Sequence, residues 1–235
     1  MKKLKGIPLK PHSFQTIFSH PSKEEINLIQ LNERDSVVMH EISRWRFCLG
    51  RQLKILADFS SQRTCDRRLK KLIDAGYLKR VHLVYGIPGL YFATKKAKDF
   101  YNLDCITSTV RLNQLQHDIM VIDTAIYFIG KGLDEKSIIS ERESKYEDGF
   151  STPKHRPDFI FTKSDKKCCV EVELTEKSKE RLEKNIRDNY LNFDIQYWIT
   201  GNEKIKRNLE KFQGRYSNIE IIEDKEVTEY VKELY

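Results

Sequence analysis

Two short apolar runs around a polar turn are the feature that most constrains the fold of this chain. PDFIFT and CCVEVEL have the length of strands, and Asp165-Lys166-Lys167 separates them. This pattern predicts a β-hairpin. The hairpin carries Asp158 at the start of its first strand and Glu171 and Glu173 in its second. Because side chains two residues apart on a strand point to the same side, Glu171 and Glu173 are expected to share one face.

Three carboxylates on neighbouring strands suggest a site for a cation. Like charges held close together are unfavourable unless water or a cation neutralises them. Mg²⁺ and Mn²⁺ bind such oxygen ligands and can activate water for attack on a phosphodiester. We therefore expect Asp158, Glu171 and Glu173 to hold Mg²⁺ or Mn²⁺, with Glu141 and His117 as weaker candidates. A charged, solvated hairpin without a site is the plainer alternative.

The charge is divided unevenly along the chain. Residues 1–110 have 20 Lys and Arg against 10 Asp and Glu, a net of +10, whereas residues 111–235 have 22 against 25, a net of −3. A basic front half suits a polyanionic partner, and a mildly acidic back half suits a metal held among carboxylates.

Three helical patterns and a hairpin fill the front half. Asn32 is a plausible N-cap for the first helix. The apolar face of that helix is formed by Val37, Val38, Ile42 and Trp45. LGRQLKILADF predicts a short second helix, and a third begins at Ser60 or Ser61 and ends at Ala75-Gly76. The runs VHLVY and LYFAT, joined through residues 86–89, predict a hairpin.

This order of elements is typical of a winged helix-turn-helix domain. In that fold the third helix enters the major groove of DNA and the hairpin, or wing, rests on phosphates. The predicted contacts to double-stranded DNA are Gln62, Arg63, Thr64, Arg67 and Lys70 in the third helix and Arg80 and His82 in the wing. A winged helix used for protein contacts is the alternative, but the net charge of the front half favours DNA.

The back half has the predicted order α-β-β-β-α-β, followed by α-β-α. Its first helix covers RLNQLQHDIMVIDTAIYFIGKG, with an apolar stripe that starts at Leu112. A strand then ends in Glu141 and Glu143, and a polar loop, SKYEDGFSTPKHR, leads to the hairpin. The chain is thus predicted to be α+β, with a basic arm over residues 1–30, a winged helix over 31–105 and an α/β domain with a mixed sheet over 106–235.

Pro157-Asp158, followed by Glu171-Val172-Glu173, resembles the PD-(D/E)xK signature of restriction-endonuclease-like folds. The lysine of that signature would stand at position 173, and Lys177, placed at the start of the next helix, could supply the ammonium instead. Together with LNERDSVVMHEISRWRF, RTCDRRLKKLIDAGYLKR, LQHDIMVID, HRPDFIF and VEVELTEKS, this pattern resembles the replication-relaxation family of plasmid proteins and the related MobC-type relaxases.

The resemblance implies a metal-dependent nicking endonuclease that acts at a plasmid or conjugative-element origin, with relaxosome or replication proteins as further partners. Asp158, Glu171 and Glu173 would be acids or metal ligands, and Lys177 would stabilise the charged phosphate in the transition state. A DNA-binding replication or mobilisation accessory, or a transcriptional regulator, with an inactive nuclease-like domain is the first alternative. A protein-interaction adaptor is the second.

Other features narrow the class of protein. The five cysteines are odd in number and lack CxxC spacing, which argues against a disulfide framework or a zinc ribbon. No apolar run reaches the roughly 18 residues of a membrane span, and the N-terminus lacks the apolar segment of a signal peptide. A cytoplasmic protein without a membrane partner is expected. The sequence leaves a monomer and a homodimer open.

Overall fold

The computed structural model of the protein describes residues 29–103, 109–148 and 155–235, and these residues form an α+β fold. The helices are α1 (Glu33–Trp45), α2 (Gly50–Leu56), α3 (Gln62–Asp74), α4 (Lys95–Tyr101), α5 (Leu115–Gly130), α6 (Glu141–Glu147), α7 (Lys179–Asn192), α8 (Glu203–Gln213) and α9 (Asp224–Glu233). The strands are β1 (Cys48–Leu49), β2 (Leu78–Val81), β3 (Leu90–Ala93), β4 (Ile139–Ser140), β5 (Phe159–Lys163), β6 (Lys166–Val172), β7 (Ile195–Ile199) and β8 (Ile219–Ile222). Nearly all of the predicted N-terminal arm, and Cys105, lie outside the described residues.

The front half packs α1, α2 and α3 with an antiparallel sheet in the strand order β1-β3-β2. Asn32 caps α1, because its side chain accepts a hydrogen bond from the backbone N–H of Asp35. Ser61 caps α3 by accepting from the backbone N–H of Thr64. The predicted caps are therefore confirmed. The sequence predicts Val37 on the apolar face of α1, but this side chain is exposed. Met39 is buried on that helix instead.

The first strand of the front hairpin lies earlier in the chain than predicted. It is Leu78–Val81 rather than VHLVY, and residues 82–89 form the loop to β3. Gly76 has a left-handed φ of 77°, so α3 ends sharply and the chain enters the sheet two residues later. VHLVY has the alternating pattern of a strand, but its residues beyond Val81 pair with no described strand.

The back half is built on a mixed sheet of five strands in the order β4-β5-β6-β7-β8. The pairs β4–β5 and β5–β6 are antiparallel, and β6–β7 and β7–β8 are parallel. Helices α7 and α8 form the two crossovers between the parallel strands. Ser164 and Asp165, with φ values of 49° and 63°, make the two-residue turn of the predicted hairpin, one residue earlier than expected.

The prediction that Glu141 and Glu143 end a strand is wrong, because both residues lie in the first turn of α6. Ser140 and Glu143 form a reciprocal capping box, with the Glu143 side chain accepting from the Ser140 backbone N–H at 2.8 Å. Helix α6 therefore occupies part of the predicted polar loop. Leu112 also departs from the prediction, because α5 begins only at Leu115 and leaves Leu112 exposed.

The two halves share one hydrophobic core. Trp45 of α1 packs edge-on against Phe159 of β5, with ring centroids 6.0 Å apart. Arg51 of α2 makes two hydrogen bonds, of 2.7 and 2.6 Å, to the buried carboxylate of Asp123 in α5. Such bidentate pairs fix orientation as well as distance. The front half is therefore held in a defined position against the mixed sheet.

Two further sequence expectations concern cysteines and membranes. Cys48, Cys65, Cys168 and Cys169 are buried free thiols. In the ranges that the structure describes, every helix is too short or too polar to cross a lipid bilayer. The predicted domain boundary at residues 105–106 falls outside the described residues and stays a prediction.

Candidate active site

The pairing of β5 and β6 brings the predicted acidic residues to one end of the mixed sheet. The ladder ends at the pair of Phe159 with Val170, and the backbone N–H of Asp158, the residue before it, donates to the carbonyl of Val170 at 3.0 Å. The backbone N–H of Val172 donates to the Asp158 carboxylate at 2.7 Å and fixes its direction. Glu173 follows β6, and its backbone N–H donates to the carbonyl of Ile199 in β7. Asp158, Glu171 and Glu173 all line one cavity of about 1240 Å³.

Asp158 is held by a histidine from another element. The Nε2 atom of His117, in α5, lies 3.4 Å from the Asp158 carboxylate, and its Nδ1 atom lies 3.2 Å from Asp118. Burial lowers the pKa of His117, but the hydrogen bonds to the two carboxylates outweigh this effect and raise the pKa to about 10. Burial would likewise raise the pKa of Asp158, yet the bonds from His117 and Val172 hold that pKa below its ordinary value.

Glu171 has a separate set of partners. The Nε2 atom of His155 lies 2.6 Å from the Oε1 atom of Glu171, and the side-chain amide of Asn189 donates to the same oxygen at 3.0 Å. Both Glu171 and Asn189 are buried. The Oε1 atom of Glu171 therefore has two neighbours that fix its position.

Glu173 has a lysine as its partner. Its carboxylate forms an ion pair with Lys177, which lies before α7 rather than at its start. Burial raises the pKa of Glu173, the Lys177 ammonium opposes this, and the charges of Glu171 and Asp158 raise the pKa further. The Lys177 ammonium lies against the buried Oε2 atom of Glu173, although no described residue donates a well-directed hydrogen bond to that oxygen. A metal ion at this oxygen would have to displace the Lys177 ammonium.

Basic side chains surround the acidic end of the cavity. They come from both halves of the protein and comprise Arg44, Arg46, Arg111, Arg142, Lys145, Arg156, Lys177 and Arg181. Arg46 forms an ion pair of 3.2 Å with Glu141, so this weaker metal candidate holds an arginine at the edge of the cavity. Arg111 and Arg181 form no ion pair with a described residue. A cavity with acids on its floor and cations around its edge suits a phosphate chain whose metal sits among the acids.

The donor atoms of the three acids are of the type that a hard divalent cation takes, because Mg²⁺ and Mn²⁺ bind carboxylate oxygens. In the arrangement described, however, no three His, Cys, Asp or Glu residues of the ranges 29–103, 109–148 and 155–235 are grouped as ligands of one metal ion. A histidine or lysine side chain stands beside each acid instead, so the metal-binding role of Asp158, Glu171 and Glu173 stays a prediction.

Several neighbours of the acids were not singled out from the sequence. His155 lies three residues before Asp158 in HRPDF, and its position beside a candidate acid was a usable signal. Asn185 and Asn189 lie on the buried side of α7, on the same face as the apolar residues Leu182 and Ile186. Amides within an apolar stripe indicate a buried polar partner. No local pattern pointed to Arg44 and Arg46, because the packing of the two halves brings them here.

The predicted DNA-contacting residues lie on a separate surface. Gln62, Arg63, Arg67 and Lys70 are exposed on α3, and Arg80 and His82 are exposed on the hairpin; Thr64 is half-buried. Lys70 is paired with Asp74, and Gln62 donates to Asp66. Arg63 and Arg67 form no ion pair with a described residue, so both guanidinium groups are free to contact phosphate.

Arg44 at the edge of the cavity depends on a buried acid. Its guanidinium lies 2.9 Å from Glu41 and 3.2 Å from Glu143. Burial raises the pKa of Glu41 to about 7, against the opposing charge of Arg44. The negative charge of Glu135 acts in the same direction as burial.

We predict a pH-dependent stability from Glu41. Its folded pKa lies above its unfolded value of 4.5, so the folded state holds this proton more tightly. The resulting stabilisation is fully present below pH 4.5 and is lost as the pH rises through about 7. Glu41→Gln should flatten the fall in the free energy of unfolding between these values, measured by urea denaturation. An unchanged pH profile in this variant, with Glu220→Gln as the exposed control, would contradict the assignment.

Comparisons of the chain with models of protein families, with curated proteins and with solved structures find no match. The resemblance to the replication-relaxation family therefore remains an interpretation of the sequence motifs.

Proposed function

We propose that this protein is a DNA-binding, metal-dependent endonuclease that nicks DNA at a plasmid or mobile-element origin. The observation that carries the proposal is the convergence of Asp158, Glu171 and Glu173 in one cavity with a basic edge. A phosphodiester carries negative charge, and a metal among the acids would attract it while the surrounding Arg and Lys side chains neutralise the flanking phosphates.

The front half supplies the proposed DNA-binding module. Its order of elements, α1-β1-α2-α3-β2-β3, supports the proposal of a winged helix-turn-helix. In this proposal α3 lies in the major groove, with Arg63 and Arg67 on phosphates or base edges, and the β2–β3 hairpin is the wing. Because α1 also delivers Arg44 and Arg46 to the cavity, one rigid body would carry both the recognition helix and part of the cavity edge.

The roles of the cavity residues follow from their contacts. When bound, Mg²⁺ or Mn²⁺ would supply an activated water and stabilise charge on the phosphate. Asp158, Glu171 and Glu173 would hold the ion. His155 and Asn189 orient Glu171, and Val172 orients Asp158. Lys177, once released from Glu173, would stabilise the charged phosphate.

A DNA-binding accessory or regulator with an inactive nuclease-like domain is the second candidate. Glu173 stands where the PD-(D/E)xK signature has lysine. Each acid also has a histidine or lysine neighbour: Asp158 has His117, Glu171 has His155 and Glu173 has Lys177. These pairs would keep the cavity stable without a metal. On this reading DNA binds specifically but is not cut.

We predict that α3 determines DNA affinity. The double variant Arg63→Ala with Arg67→Ala should weaken binding about tenfold or more and reduce the salt slope of log K by about 2, one for each lost phosphate contact. The matched control is Arg207→Ala with Lys211→Ala, two exposed cations at the same helical spacing on α8. Fluorescence anisotropy across a salt series measures both. Equal losses of DNA affinity in the two double variants would show that α3 has no special role in DNA binding.

We predict metal-dependent nicking at the acidic cluster. With Mg²⁺ or Mn²⁺, the wild type should convert a supercoiled plasmid carrying the candidate origin to open circles, and EDTA should stop the conversion. Asp158→Asn or Glu171→Gln should slow nicking by more than about a hundredfold while DNA affinity is kept, because even changes around metal ligands cost 10- to 100-fold. Glu220→Gln, an exposed acid on β8, is the control. Specific binding without any nicking by the wild type would favour the accessory role.

A further inference from the structure

We infer that the tip of the β2–β3 loop is a stacking site for a nucleobase. The wing tip, defined as Leu83, Val84 and Tyr85, would place the Tyr85 ring against a base that has left the DNA stack next to the bound α3. The inference rests on the proposed function, because it needs DNA held by the front half. It adds a contact of a different kind from the phosphate contacts proposed for Arg63 and Arg67.

The wing tip is unusually exposed for its composition. The relative exposure of Tyr85 is 104%, and Leu83 and Val84 are each 40% exposed. The Tyr85 ring has no aromatic or cationic neighbour among the described residues. Single exposed apolar residues are ordinary, but three consecutive ones at the end of a hairpin form a contact surface.

The hairpin backbone fixes where this surface is presented. The last pair of the ladder is Val81 with Leu90. Beyond it, the backbone N–H of Ile87 donates to the carbonyl of Val84 at 3.3 Å and closes a turn around Tyr85 and Gly86. Gly86 has a φ of 82°, a value that glycine adopts without strain. The ring therefore stands at the apex of a closed turn.

Charge around the wing tip favours a nucleic acid over an apolar protein surface. From residue 75 to residue 98 the chain has no Asp or Glu, although it has Lys79, Arg80, Lys95, Lys96 and Lys98. Arg80 and His82 lie at the base of the loop, where a Cβ atom on Gly89 would come within 2.6 Å of the Arg80 Nε atom and 3.0 Å of the His82 Cε1 atom. Glycine at position 89 thus leaves room for two groups that can face phosphate.

An exposed aromatic ring at the tip of a hairpin whose base carries cations has the chemistry needed for an unstacked base. Every base offers a π-face, so such stacking tolerates any sequence, and flanking Arg or Lys side chains hold the backbone. Apolar side chains inserted between base steps also unstack and kink DNA. A protein that nicks one strand benefits from holding that strand out of the duplex. We therefore expect the wing tip to prefer duplexes with unpaired bases.

The test compares two duplexes of one sequence, one fully paired and one with a three-nucleotide bubble containing 2-aminopurine. The wild type should bind the bubble duplex more tightly and change the 2-aminopurine fluorescence. Tyr85→Ala should lose about tenfold in affinity for the bubble duplex and remove the fluorescence change, whereas Tyr85→Phe, which keeps the ring, should retain both. Leu191→Ala, an exposed apolar residue at the end of α7, should behave as the wild type.

The outcomes separate this inference from the proposed function. If Arg63→Ala with Arg67→Ala loses affinity for both duplexes and Tyr85→Ala binds as the wild type, the stacking site is wrong and the DNA-binding module stands. If the wild type binds neither duplex, both fail. If Tyr85→Ala changes only self-association, measured by sedimentation velocity, the wing tip is a contact between copies of the chain and the inference is overturned.

Discussion

The gathering of three carboxylates at one end of a sheet, two of them buried, is the constraint on which the rest of this structure depends. Asp158, Glu171 and Glu173 lie where β5, β6 and β7 meet, and the Glu171 and Glu173 side chains are almost inaccessible to water. Carboxylates in such a place need partners, and each has a histidine or lysine side chain beside it. At Glu173 this partner is Lys177, whose ammonium lies against the Oε2 atom.

Residues of both halves form the edge of the acidic cavity, so the two halves must be held firmly against each other. Arg44 and Arg46 reach the cavity from the end of α1, which belongs to the proposed DNA-binding module. Trp45, between them in sequence, packs against Phe159, the residue next to Asp158. A displacement of α1 would therefore disturb the acids directly. The pairing of Arg51 with Asp123 opposes such a displacement from a second position.

Local patterns in the sequence were sufficient for much of the fold and for the acids. Alternation in CCVEVEL placed Glu171 and Glu173 on one face, and the cap at Asn32 located the first helix. Short elements were missed where two signals competed. The apolar residues of SIIS suggested a strand through Glu143, but the capping box of Ser140 with Glu143 starts a helix. The pairing of each acid with its partner was harder to predict, since His117 and Asn189 come from segments that only tertiary packing brings to the acids. The roles of these acids in metal binding and nicking remain proposals.

The most direct test of the account is a titration of the protein with Mn²⁺, followed by the electron paramagnetic resonance signal of the free ion. The account predicts that the wild type and Glu220→Gln remove Mn²⁺ from solution at one site. The double variant Asp158→Asn with Glu171→Gln should leave the ion free. A wild type that leaves all of the Mn²⁺ in solution, or a double variant that binds it equally well, would contradict the proposed metal site.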